Sequence, residues 1–529
     1  MAEQRREIEG KATDKGREFS VTVRSNVAIN LVRTLAMTAL SFITFPYVTR
    51  ALGDATFGLY TWANAFVYYF LILAKISIPN IAIRECAKAR GDKRKFNRIV
   101  QQFFLLQCFT TLTSFGLMSI LVFSVDSLFS EAEIIFLLSI NFLAGVFSFE
   151  WVYIALEKHF YITVRSVALL AFAASCTFLF IRRSAYPENY LYVYALIAIS
   201  STILTAFFNC LFLGKYVSLR KVDPYDFKPY IGPLVTMALL SLTLTLYNQT
   251  DEFILGFIDP SKAEVGSYSV GVKGVDIIIT LITSLYAVFM PRAAYYHELP
   301  DKIYFRRLLR YSFNITFFIA VPAFATMSSL ATPITSLISG GDLNEAFSGA
   351  DLILMSLSGM MLTYSLSDDI YTEILIPEKK ERHYLYALTI GVLLNVSLSF
   401  LFAYCLTPSS PGVGVAIATM VADVVVLTYL IGVSRAYSIE AIFNYNNLKI
   451  AGFGIAIFLL SFFVYPLLEK EALSWGLSQT MAYLTGGLLM LGIDAAIYIF
   501  GLLAVKETLV SSLFRRKQRR ENEQEPQAK

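Results

Sequence analysis

Residues 27–49 and 58–80 are two apolar runs, each long enough to cross a bilayer core of about 30 Å as a helix. The connection between them carries Gly53, and Gly58 opens the second run, a turn composition suited to a tight helical hairpin. Runs of this kind recur down the whole chain. Fourteen can be counted: 27–49, 58–80, 101–124, 133–156, 163–181, 190–214, 231–257, 267–290, 311–330, 350–376, 384–405, 412–434, 450–467 and 479–505. The ten-residue alternating segments of a transmembrane barrel are missing. With 56% hydrophobic residues and a mean hydropathy of +0.58, the chain is expected to be an all-α polytopic membrane protein of about 14 transmembrane helices.

The connections are short, the longest outer one being 331–349, so no catalytic or nucleotide-binding domain fits between the spans. The segment from Gly266 to Lys273 has glycines at Gly266 and Gly271 but lacks the Gly-Lys-Ser/Thr ending of a phosphate loop. Three histidines (His159, His297, His383) and five cysteines (Cys86, Cys108, Cys176, Cys210, Cys405) show no metal or disulfide spacing. The polar, charged first 25 residues are not a cleavable signal peptide, which leaves the first span as the insertion signal. Lys and Arg set the orientation. With the N-terminus cytoplasmic, and Arg165 at the very start of run 163–181 counted with the connection before it, 36 of the 44 fall in inner segments, 5 in outer ones, and Arg33, Lys75 and Lys273 within spans. Both termini are therefore expected inside.

An internal repeat is visible. Gly58 and Gly266 open the second and eighth spans 208 residues apart, and Pro79 and Pro291 close them 212 apart. The expected organisation is a basic tail (1–26), a six-helix bundle (27–214) and a charged linker (215–230). A second six-helix bundle (231–434), two additional helices (450–505) and a basic tail (506–529) follow. On the first helix Asn26, Asn30, Arg33, Thr34, Met37, Ser41 and Thr44 share one face. A charge at a membrane centre costs about 2.5–3.5 kcal/mol on insertion scales, so Arg33 needs an anion or water, and this face is read as cavity lining. Acids within spans include Glu150, Asp251, Glu252, Asp276, Asp423 and Asp494. Asp251, with Asn248 and Gln249 beside it, and Asp276 are candidates for coupling to a proton or sodium gradient, while Asp368, Asp369 and Glu373 read as interfacial.

Several stretches carry a resemblance: Pro46-Tyr47-Val48-Thr49-Arg50-Ala51-Leu52-Gly53 through Phe57-Gly58-Leu59-Tyr60, then Ile83-Arg84-Glu85, Glu150-Trp151 and Leu156-Glu157-Lys158. Asp251-Glu252-Phe253-Ile254-Leu255-Gly256, Val265-Gly266-Ser267-Tyr268, Ile374-Leu375-Ile376-Pro377 and Gly412-Val413-Gly414 continue it. In order and over nearly the whole chain, these resemble the polysaccharide biosynthesis flippases. Asp423 departs from the glutamate common there. The resemblance implies two bundles around a central cavity, shared with multidrug antiporters and peptidoglycan-precursor flippases. It also implies transfer of undecaprenyl-pyrophosphate-linked oligosaccharide (O-antigen, capsule or exopolysaccharide units) to the outer leaflet of a bacterial or archaeal plasma membrane. Its partners would be that lipid-linked oligosaccharide, membrane lipids and other polysaccharide assembly proteins, with no nucleic acid, no resident cofactor or metal and a monomeric chain.

A pyrophosphate needs cations, and Arg can grip it with paired donors where Lys acts as a point charge. Arg33, two turns into its helix, and Lys75, near the cytoplasmic end of the next, are expected to capture the headgroup. Lys273 is assigned to the outward half of the path, with Asn26, Asn30, Thr34, Ser41 and Asn248 lining the cavity. A drug or metabolite antiporter is the nearest rival, but its cationic substrates would favour acids over Arg33 and Lys273. A membrane polymerase or glycosyltransferase would need larger and more charged outer loops.

Overall fold

Every described element is a helix, as a chain that must satisfy its backbone hydrogen bonds inside an apolar slab requires. The computed structural model describes residues 2–182, 186–218, 225–339 and 347–507; the side chains of Asn26 and Asn30 lie outside those described. Among the described residues, 13 helical stretches are long and apolar enough to cross a membrane. The first, Val32–Lys88, takes in both runs with which the chain opens.

That stretch is interrupted twice. Helix Ala2–Lys75 passes through Pro46 and breaks at Gly53, whose φ of 72° and ψ of 175° suit a residue without a Cβ. After Lys75 the backbone turns left-handed at Ile76 and Ser77, and a new helix, Ile78–Lys88, starts with Pro79 in its first turn. Lys75, read in the sequence as near the cytoplasmic end of its span, ends one helix at a break with a further helix beyond. Run 133–156 divides similarly. Helix Ala132–Gly145 gives way to the 3-10 turn Val146–Ser148 and a left-handed Phe149 before Glu150–Ala155. Run 267–290 is also two helices, Ala263–Thr283 and Tyr286–Glu298, with Pro291 inside the second rather than at its end. Ile78 and Tyr286, which open the two post-break helices, are 208 residues apart, the spacing of Gly58 and Gly266.

Contacts divide the chain into two compact units. One comprises Met1–Thr44, Phe66–Arg182 and Asn189–Leu242; the other is built mainly from Phe45–Ala65 and Thr243–Lys529. The expected first bundle of 27–214 is thus not the observed cut, because residues 45–65 cluster with the second unit. The reason is close backbone packing. A Cβ on Gly58 would strike the Lys262 carbonyl and come within 2.8 Å of the Gly266 nitrogen, and one on Gly266 would strike the Asp54 carbonyl. Trp62 packs against Phe253 at 6.5 Å and Phe257 at 5.8 Å between ring centroids, and its Nε1 donates to the Phe253 carbonyl. In the same unit Tyr445–Ser474 and Gln479–Ala504 pack together, with Ser461 donating to Asp494 at 2.7–2.8 Å.

Gly266→Ala is expected to cost about 2 kcal/mol or more, because backbone rather than a movable side chain blocks the methyl group. Thermal unfolding of the purified chain in detergent should show the loss, whereas Gly452→Ala, where a Cβ meets nothing within 4 Å, should leave Tm within a degree or two.

Candidate functional site

In the first unit the two helix breaks bring charges together. Lys75 ends one helix and Glu150 begins another, so both charged groups sit where the backbone ladder is interrupted. Side chains of a neighbouring helix satisfy carbonyls just before the first break, Thr110 Oγ1 donating to Ala74 (2.6 Å) and Ser114 Oγ to Phe70 (2.7 Å), while Ser77 in the break donates through Oγ to the Met237 carbonyl (3.0 Å). Broken helices at membrane depth require this kind of internal compensation.

The Glu150 carboxylate is the centre of the cluster. One oxygen, Oε1, lies 3.6 Å from Arg33 Nη1 and 3.5 Å from Arg165 Nη2. The same acid is the carboxylate whose charge acts on Lys75. Two guanidiniums thus flank one carboxylate, and the Lys75 ammonium feels the same charge. Arg33 and Glu150 are partly exposed, at 27% and 36% of their side-chain surface, while Arg165 is buried at 5%. On the Arg33 helix Thr34, Ser41 and Thr44 are half-buried, whereas Val32, Leu35, Phe42 and Ile43 are exposed; Met37, on the same face as Arg33, is exposed as well.

Arg165 is held rigidly. Its Nη1 donates to Asn209 Oδ1, and its guanidinium lies 5.6 Å from the centre of the Tyr161 ring. Tyr161 also donates to Asn209 Oδ1 (3.0 Å), Tyr153 donates to the Asn209 carbonyl (2.6 Å), and Asn209 Nδ2 donates to the Ser148 carbonyl inside the break. Asn209 therefore ties a cation to the interrupted backbone two residues before Glu150. Arg165, Glu150 in this role and Asn209 were all missed as site residues. The available signals were a guanidinium at the start of run 163–181 and a lone amide inside the apolar run 190–214.

The second unit holds a site of opposite sign. A cavity of about 340 Å³ is lined by Asn248, Gln249, Asp251, Glu252 and Asp276, with Tyr247, Tyr268 and Tyr364 among its aromatic walls. Asp251 Oδ2 accepts from Tyr268 (2.5 Å) and Thr419 (2.7 Å), and Thr419 in turn accepts from Asn395 (2.9 Å). Ser269 donates to Glu252 (3.1 Å). The structure thus brings Asn248, Asp251 and Asp276 to one cavity. Lys273 belongs to this unit and not to the Arg33 cluster: it lies 5.9 Å from the centre of the Phe45 ring, and its charge acts on Asp276 and Glu252. A phosphate approaching Lys273 would meet those carboxylates. Asp369 and Glu373 are fully buried within the protein; Glu373, on the π-helical segment Ile370–Leu375, accepts from Ser312 at 2.6 Å.

Several solved structures share this fold. The lipid II flippase MurJ, in an inward closed conformation, matches 92% of this chain and 99% of its own with a TM-score of 0.61 at 16% identity. An inward-facing multidrug resistance MATE family transporter matches 77% of this chain and 98% of its own (TM-score 0.56, 15% identity). A MOP superfamily transporter from Pyrococcus furiosus matches 78% and 96% (0.53, 16%). The chain itself belongs to the polysaccharide biosynthesis protein family, whose model matches residues 23–297. No curated protein matches it in sequence.

Asn209→Ala should leave the Ser148 carbonyl and the Arg165 guanidinium without their shared partner, at a cost of about 1–3 kcal/mol for buried groups of this kind. Reduced Tm and reduced folded yield in the membrane fraction are the expected readouts.

Proposed function

We propose that this protein moves undecaprenyl-pyrophosphate-linked oligosaccharide units, destined for O-antigen, capsule or exopolysaccharide, from the cytoplasmic to the outer leaflet of a bacterial or archaeal plasma membrane, with both termini cytoplasmic. The observation that carries this reading is a pair of guanidiniums, Arg33 and Arg165, on either side of the single carboxylate of Glu150 at a helix break, with the charge of that carboxylate also acting on Lys75. Such a group retains positive charge after its internal pairing, and an anion with several oxygens can compensate it better than water at low dielectric. Arg33 and Arg165 supply planar paired donors to phosphate oxygens, and Lys75 supplies a point charge. The family and its flippase-like fold support transport rather than chemistry.

Asp251 and Asp276 take the role of ion coupling. Their cavity has hydroxyl and amide groups beside its acids, a donor set suited to a proton or a small cation. The same acidity favours a second reading, a drug or metabolite antiporter taking cationic substrates in that cavity. The two readings differ over the Arg33 cluster, which an antiporter of cations does not need.

In cells lacking their own flippase and complemented by this chain, Arg33→Ala and Arg165→Ala should each lower surface polysaccharide about tenfold or more at unchanged membrane abundance, the scale expected for charge-assisted hydrogen bonds. Normal export by Arg33→Ala would rule out the headgroup assignment. In proteoliposomes with an imposed proton or sodium gradient, Asp251→Asn should abolish gradient-driven acceleration while leaving slow, gradient-independent exchange. An unchanged gradient response would remove Asp251 from coupling.

A further inference from the structure

We propose that Glu150 is a placeholder for the substrate's phosphate: in the empty transporter its carboxylate occupies the anion position between Arg33 and Arg165, and an incoming pyrophosphate displaces it. This deepens the flippase reading above and rests on it. The argument lies in how differently the three groups are held. Arg165 is fixed from several sides by Asn209, Tyr161 and burial. Glu150 is not fixed in this way. It follows the left-handed Phe149 as the first residue of a short helix, a third of its side-chain surface is exposed, and both of its contacts to the arginines are ion pairs of 3.5–3.6 Å. Charge-assisted hydrogen bonds of full strength run at about 2.7–2.9 Å. A single oxygen shared loosely by two guanidiniums satisfies neither of them.

A second observation points to unused capacity. The Nε–H of Arg165 is buried and has no hydrogen-bond acceptor among the described residues. A buried guanidinium donor left without an acceptor is costly, and a tetrahedral phosphate offers oxygens enough to serve both arginines at once. The geometry therefore separates a fixed cationic cradle from a movable anion. When empty, the cradle is partly neutralised, which lowers the cost of holding Arg33, Lys75 and Arg165 together. When occupied, Glu150 is released towards solvent. Phosphate-bearing lipids must outcompete it, so Glu150 also raises the threshold against singly charged phospholipid headgroups, which bring less charge than a pyrophosphate.

The test uses the full chain in nanodiscs of neutral lipid with geranylgeranyl pyrophosphate as probe, comparing wild type, Arg33→Ala, Glu150→Gln and the double variant. Removal of a partly exposed competing ion pair should tighten probe binding by about fivefold in Glu150→Gln, and Arg33→Ala should weaken it. The double variant should recover part of the affinity lost in Arg33→Ala. Glu150→Ala should reproduce the tightening, and Tm measured on each variant separates misfolding from altered affinity. Wild-type binding that Arg33→Ala weakens and that neither Glu150 variant tightens would overturn the placeholder while leaving the headgroup reading intact. A wild-type chain that does not bind the probe, or that Arg33→Ala leaves unchanged, would overturn both.

Discussion

Placing a guanidinium in an apolar slab is the constraint on which the first unit depends. Neither the Arg33 nor the Arg165 helix can expose its charge to hydrocarbon, so each guanidinium must find an anion, water or both. Glu150 meets this need only because the helix carrying it is interrupted: the 3-10 turn and left-handed Phe149 set its carboxylate between the two arginines. The interruption in turn requires donors for its exposed carbonyls, and Asn209 and Cys210 provide them at Ser148 and Phe147. Charge, break and compensating amide form one interdependent set.

The second unit solves the same problem with the opposite sign. Several of its buried acids are held by hydroxyls, Asp251 by Tyr268 and Thr419, Asp423 by Tyr247, Glu373 by Ser312. Hydroxyl donors can serve a charged or a protonated carboxyl, so these sites tolerate a change of charge that a tight ion pair would resist. The two units share a plan in sequence, with post-break helices opening at Ile78 and Tyr286, yet carry different chemistry. One unit carries a cluster of cations around Glu150, the other an acid-lined cavity.

Much of the fold was legible in the sequence because a bilayer imposes a single length and polarity on every span; Gly58 and Gly266, read there as repeat markers, are in fact where two backbones pack closely, which the sequence did not suggest. Arg33 and Lys75 were legible for the same reason: a charge inside an apolar run stands out. Arg165 did not, because at the very start of its run a cation reads as part of the preceding connection. The breaks were hidden as well. Pro79 looks like a helix end in sequence, and only left-handed backbone at Ile76 and Ser77 distinguishes an interruption from a terminus. Lys273 was grouped with the other cations by charge; Asp276, three residues on along the same helix, is company that helical spacing does specify, whereas Glu252 depends on packing that periodicity does not.

The central claim, that the Arg33–Arg165 cradle receives an anionic headgroup, is tested most directly by a structure of the chain with a bound polyprenyl pyrophosphate. The account predicts phosphate oxygens within hydrogen-bond reach of Arg33 and Arg165, with Glu150 turned away from both. A headgroup bound elsewhere while Glu150 still bridges the two arginines would contradict it.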